Sequence, residues 1–296
     1  MEKITIYGAG VQGSMLAYRC AVYGKNVALF DIEETVLVKA KEKITGWLEK
    51  YSAAGRYTKD EARSFAAAIG YHKDVAVALA DADLVIECVP EKLELKQQVW
   101  NEIDRIAPDK TYLTTNSSSL RSSEIGKDVA RKEKTFNVNF MTPTEDDLVE
   151  VMWNPYTAED TKTFALDFLY SIACVPTVTA KEIKGFSLNR VWRAVKKECL
   201  KLWAEGYIAP EDLDRAFMLE WATEDGPFGR MDKVGLDVIH DIEMSYYRES
   251  GDPSDLPPKA LEDMVSQGKL GEKSGIGFYT YPNPSYLAKD FLKGKK

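Results

Sequence analysis

The amino-acid sequence predicts an α/β domain followed by an all-α domain. Three observations carry this. Short β-rich runs alternate with helical periods through the first part of the chain. The first of those runs ends in a glycine-rich turn. After Lys181 the β-rich runs nearly cease, which divides the chain into 1–182 and 183–296.

The elements follow in order. "KITIYGAG" is a strand leading to a helix over 11–23. "NVALFD" is the second strand, and a polar, helical stretch follows over 33–68. "DLVIECVP" leads to a helix over 92–106. "TYLTTN", "TFNVNF" and "DLVEVMW" read as further strands, and a helix over 158–172 leads into "VPTVTA". Such alternation points to a parallel sheet with helices on both faces. In the second half, Val191, Val195, Cys199, Leu202 and Trp203 recur at helical spacing until Gly206 stops the run. "APEDLDRAFMLEW" opens with Pro210 and acids, as helix starts do. "DKVGLDVIHDIEMSYYRES" is helical again, and only "GFYTY" near the end is β-like.

Composition narrows the function. The chain has 296 residues, 45% hydrophobic and 29% charged, which is ordinary for a soluble protein with a sizeable core. A net charge of -8 argues against a nucleic-acid binder, because phosphate contacts need a basic surface. No apolar run is long enough to span a bilayer, and the first residues run straight into a strand with no signal peptide visible. A cytoplasmic protein is expected. Cys20, Cys88, Cys174 and Cys199 are scattered among apolar residues and read as small buried side chains. With only two histidines, no metal cluster is expected.

"YGAGVQGS" places Gly8, Gly10 and Gly13 in the GxGxxG pattern between a strand and a helix. Gly8 allows the tight turn, Gly10 lets backbone approach a pyrophosphate, and Gly13 lets helix and strand pack closely. The helix start, with Val11 and Gln12, offers free N–H groups to phosphates. Asp31 ends the second strand, about 20 residues on, where a carboxylate binds ribose hydroxyls and repels a 2′-phosphate. NAD is therefore favoured over NADP. FAD can use such a fingerprint, but no second flavin motif is visible.

"FNVNFMTP" holds two asparagines in an apolar run. Alternation puts Phe136, Val138 and Phe140 on one face and Asn137, Asn139 and Met141 on the other. Asparagine is a poor strand former and a buried amide needs partners. A solvated edge strand is the simplest reading of this run alone.

Taken together, "GAGVQG", "DADLVIECVPEKLELK", "NSSSL", "NFMTP...DLVEV", "KGFSLNR", "DGPFGRMDKVGLD" and "GEKSGIGFYTY" resemble the 3-hydroxyacyl-CoA dehydrogenase family along nearly the whole chain. The resemblance implies a Rossmann-type domain followed by a helical dimerisation domain, hence a homodimer. It implies NAD as cofactor and interconversion of 3-hydroxy and 3-oxo groups on an acyl-CoA. Relatives in this superfamily oxidise small 3-hydroxy acids such as gulonate and carnitine instead. Residue by residue, Glu91 and Lys96 match positions near the cofactor, although alone they read as a solvated helix pair. Ser118 matches a serine that contacts the nicotinamide end and the substrate oxygen; its local alternative is a helix N-cap. Asn189 matches an asparagine that binds the substrate oxygen. Glu150 matches the acid that orients the catalytic histidine.

The family pattern is His-Phe-Phe-Asn-Pro; here it is Asn139-Phe140-Met141-Thr142-Pro143. The histidine is replaced by Asn139, which the resemblance implies faces the nicotinamide and substrate instead of lying on a solvated edge, and the cofactor-side asparagine is replaced by Thr142. An amide has no titratable proton, and loss of a positioned general base typically costs ~10²–10⁴-fold. Either another group moves the proton, with Glu150 nearest and Tyr156, Lys184 and a partner's His240 behind it, or the chain binds NAD with altered or little catalysis. The acidic run Thr144 to Asp147 would repel CoA if it faced the pocket, and Trp153 and Trp192 could pack against a cation if they are not core.

Overall fold

The computed structural model describes residues 2–144 and 147–294. Two compact units divide between Ser187 and Leu188. The first unit holds eight strands: β1 Lys3–Tyr7, β2 Asn26–Phe30, β3 Ile69–His72, β4 Leu84–Glu87, β5 Tyr112–Thr115, β6 Thr135–Phe140, β7 Leu148–Met152 and β8 Val175–Thr179. Its helices are α1 Val11–Val22, α2 Glu34–Ala53, α3 Lys59–Ala67, α4 Val75–Leu79, α5 Leu93–Ile106, α6 Ser122–Ile125 and α7 Glu159–Ser171. α8 Phe186–Ala204 runs from the end of this unit into the second.

The strands form one sheet in the order β3-β2-β1-β4-β5-β6-β7-β8. Strand residues alternate between two cores. Ile4, Ile6, Val27 and Leu29 pack on one face. Tyr7, Ala28, Phe30 and Val85 pack on the other, with Trp100 of α5. β1 and β4 pair in parallel, and the order of the strands reverses between them, which opens a crevice beyond their carboxyl ends.

Three sequence expectations change. The sheet is mixed: β6 and β7 pair antiparallel, because residues 141–147 are too few for a crossover. The stretch 33–68 is two helices, broken where Gly55 takes φ +77; a capping box of Thr58 and Glu61 restarts the second. "GFYTY" forms no strand. It is a turn with single bridges, held by Asp232, which accepts the N–H groups of Phe278 and Tyr279 at 3.0 and 2.9 Å.

The second unit contains α9 Pro210–Trp221, α10 Pro227–Val234, α11 Leu236–Ser250 and α12 Lys259–Ser266 around Leu200, Phe228, Met231 and Leu261. Asp214 of α9 is fully buried and accepts the N–H groups of Phe228 and Gly229 at the start of α10, both at 2.8 Å. All four cysteines are free. Burial pushes the thiols of Cys20 and Cys199 up to about 12, so neither is a thiolate near neutrality. Among the described residues, no helix is long and apolar enough to cross a membrane, and no cluster of histidine, cysteine or carboxylate side chains could hold a metal.

Candidate active site

The glycine turn sits where β1 meets α1. Gly8 has φ +109, and a Cβ there would lie 2.9 Å from the Cys88 carbonyl oxygen. A Cβ on Gly13 would lie 1.8 Å from the Gly8 carbonyl oxygen. Gly10 differs: it is the N-cap of α1, and nothing lies within 4 Å of where its Cβ would be. The space over Gly10 and the uncapped start of α1 form a cradle that fits a pyrophosphate. Val11 is exposed. Gln12 donates from Nε2 to the Met141 carbonyl at 3.2 Å, while its buried Oε1 has no partner among the described residues. Asp31 has a second task that the sequence did not disclose. Its Oδ2 accepts the Ala9 N–H at 2.9 Å and its Oδ1 the Glu33 N–H at 3.0 Å, so it braces the turn.

A buried charge network lies beyond β4. Lys96 is 1% exposed. It donates to Glu87 Oε1 at 2.7 Å and the Val89 carbonyl at 3.0 Å, and sits 3.4 Å from Glu91. Lys96 and Glu91 are therefore not a solvated helix pair. Burial raises the Glu87 carboxyl above its ordinary value, against the pull of Lys96. Burial also works on Glu91, but bonds from Ser117, Ser119 and Lys96 prevail and hold its carboxyl below the usual range. Ser118 lies exposed between those two serines. The N-cap of α6 is Arg121, so Ser118 is not the cap of that helix; Ser117 turns the chain by accepting the Leu120 N–H at 2.8 Å.

The two asparagines of β6 are buried in the middle of the sheet, not on a solvated edge. Asn137 accepts the Ser122 N–H at 2.7 Å and donates to the Leu120 carbonyl at 2.9 Å, fixing the start of α6. Asn139 faces Glu150 across the antiparallel pair, and its Nδ2 donates to Glu150 Oε2 at 3.3 Å. Ser187, at the start of α8, donates to the other carboxylate oxygen at 3.1 Å. Asn116 Oδ1 accepts the Phe140 N–H at 3.0 Å and ties the end of β6 to the serine loop.

Thr142 is half-buried in the connection from β6 to β7. Of the acidic run, Glu145 and Asp146 lie outside the described residues, and Asp147 pairs with Arg19 at 2.8 Å. Arg19 also donates to the carbonyls of Pro143, Ile172 and Ala173. Asn189 is exposed on α8 and belongs to the second unit. Trp153 is core, edge-on to Phe136, and Trp192 packs on the core of the second unit beneath Arg230. Tyr156 is exposed, with the Lys132 ammonium over its ring. Sequence reasoning missed Glu87, Asn116, Ser117 and Ser187. Only Glu87 carried a signal, as a carboxylate inside an apolar run.

Comparison with known proteins gives a consistent set of likenesses. The family model "3-hydroxyacyl-CoA dehydrogenase, NAD binding domain" matches residues 3–216, and the C-terminal domain of the same family matches residues 185–281. The mitochondrial hydroxyacyl-coenzyme A dehydrogenase of Homo sapiens is 30% identical over 288 residues, 95% of this chain and 91% of that protein. The 3-hydroxybutyryl-CoA dehydrogenase of Clostridioides difficile is 31% identical over 283 residues, 94% of this chain and 99% of that one. Among solved structures, a diketoreductase described as acting on dicarbonyl compounds superposes with a TM-score of 0.85 at 30% identity, covering 95% of this chain and 99% of that one.

Proposed function

The chain belongs to the 3-hydroxyacyl-CoA dehydrogenase family, and from that premise we propose that it is an NAD-dependent enzyme interconverting 3-hydroxy and 3-oxo groups. The observation that carries this reading is topological. The turns after β1, β4 and β5, and the end of β6 with Asn139, all lie at the carboxyl edge of one run of parallel strands. That edge is where open α/β sheets bind their ligands.

Gly8, Gly10, Val11, Gln12, Gly13 and Asp31 would hold the adenosine and pyrophosphate of NAD. Glu91, Ser118 and Thr142 would border the nicotinamide. Lys96 reaches that border only through Glu91, because its ammonium is sealed against Glu87. Bound NAD supplies the hydride acceptor or donor. Asn139 and Ser118 hold the substrate oxygen by hydrogen bonds, and Glu150 orients Asn139. Asn189, in the second unit, matches the family's substrate-binding asparagine.

The substrate is a 3-oxo or 3-hydroxy acid, free or joined to CoA. Arg19 neutralises Asp147, which weakens the case that the acidic run repels CoA. A cytoplasmic homodimer is part of the reading. Exposed Val191, Tyr207, Leu219 and Trp221 on the second unit support a partner surface. A cofactor binder with little catalysis is the poorer account, since the matched relatives bear dehydrogenase names.

The test is a panel of acetoacetyl-CoA, dehydrocarnitine, gulonate and other 3-oxo or 3-hydroxy acids, with NADH or NAD+ and the absorbance of NADH as readout. Turnover of one of them supports the proposal. NADH binding without turnover of any member overturns it.

A further inference from the structure

We propose that Ser187, backed by Glu150, is the proton acceptor of the reaction; this rests on the dehydrogenase reading above. Asn139 cannot serve, since an amide has no proton site near neutrality. Glu150 is only 1% exposed and has its Oε2 engaged by Asn139. Its other oxygen, Oε1, is engaged by a hydroxyl that reaches the surface: Ser187 is exposed, and its Oγ lies 3.1 Å from Oε1. A hydroxyl can accept one proton while it gives up another. It is therefore the chemical link between a substrate alcohol and a carboxylate sealed beneath it.

The backbone supports the assignment. Gly185 and Phe186 both take positive φ, +78 and +55. A phenylalanine is rarely found there, and such strain persists only where the surroundings impose it. Phe186 is 1% exposed, so its ring is anchored while the turn presents Ser187 to Glu150.

In the oxidation direction, the substrate O–H bond breaks and its proton passes to Ser187 Oγ. The proton already on Oγ passes to Glu150 Oε1. Bound NAD+ would take the electron pair of the substrate C–H bond as hydride as the C=O bond forms. Reduction runs the same path backwards.

The experiment uses the full chain and the best substrate of the panel. Ser187→Ala should lower kcat by ~10²–10⁴-fold, as loss of a positioned proton acceptor does, with KM and NADH affinity changed by less than about threefold. Ser187→Thr keeps the hydroxyl and should recover most of the rate. Ser187→Ala combined with Glu150→Gln should be no slower than Glu150→Gln alone, because the two act as one unit. A Ser187→Ala enzyme with wild-type kcat overturns the relay and leaves the dehydrogenase reading standing. Equal losses in the Ala and Thr variants also overturn it, since they mark a structural role. A wild-type protein that turns over nothing overturns both.

Discussion

Asn139 and Glu150 stand directly opposite each other in the antiparallel register of β6 and β7, with the amide donating to the carboxylate at 3.3 Å. An ionised carboxylate only accepts, so the amide must turn its nitrogen toward Glu150. The second N–H and the carbonyl of Asn139 are then left for other partners.

Replacing that amide with imidazole should return a base to the site. Asn139→His places a ring nitrogen against Glu150, which would orient it and stabilise its charged form. The Asn139→His, Ser187→Ala double variant should then turn over at least about tenfold faster than Ser187→Ala alone. Steady-state rates on one shared substrate decide it, and no gain in the double variant counts against a substrate-facing Asn139.

Gly10 and Gly13 should fail in different ways. Gly10→Ala has room for its methyl in the apo protein and an allowed φ of -64. It should melt like the wild type yet bind NADH at least about tenfold more weakly, because the methyl occupies the pyrophosphate cradle. Gly13→Ala drives a methyl into the Gly8 carbonyl and should lower the melting temperature itself. Thermal melts with NADH titrations separate the two.

Asp31→Ala removes the brace on Ala9 and, with it, the carboxylate proposed to accept the ribose hydroxyls. A hydrogen bond to a charged group is worth about 1.5–3 kcal/mol, so NADH affinity should fall by roughly 10–100-fold. NADPH affinity should fall much less, since a repulsive charge also leaves. An unchanged NADH-to-NADPH preference by fluorescence titration rejects the assignment.

Lys96→Met should destabilise the protein by about 3–5 kcal/mol, because Glu87 stays buried without its cation. Adding Glu87→Gln should restore much of that loss. Urea unfolding of the single and double variants tests it, and a single variant as stable as wild type would refute the buried pair's role.

Asp214 gives a pH signature. Burial, opposed by bonds from Phe228, Gly229 and Tyr279, pushes its carboxyl up to about 6. The folded value lies above the unfolded value of about 3.9, so folding takes up a proton. The associated stability is fully present below about 4 and is lost as pH rises through about 6. Asp214→Asn has no such dependence. The stability gap between wild type and variant should be about 2 kcal/mol wider at pH 4.5 than at pH 7.5. Urea unfolding at both pH values checks this; a constant gap rules it out.

Much of this was legible in the sequence because its signals are local. The GxGxxG turn, the strand runs and the helix starts each lie within a few residues of their cause. The rest depends on partners far along the chain. Nothing near Ser187 announces a carboxylate 37 residues away, and nothing near Arg19 announces the carbonyls of Ile172 and Ala173. Asn137 and Asn139 read as misplaced in a strand until Ser122, Leu120 and Glu150 arrive to satisfy them. The antiparallel turn of β7 was readable from its short connection, but the dominant β–α alternation masked it.

The β6–β7 hairpin also has an evolutionary consequence. Strand register fixes Asn139 against Glu150, and residues 141–147 lie outside both strands. Changes in the length of that connection leave the strand register unaltered, whereas one residue added inside either strand would turn that strand's own member of the pair to the opposite face. Selection can therefore vary the length of the connection without disturbing the Asn139–Glu150 pair.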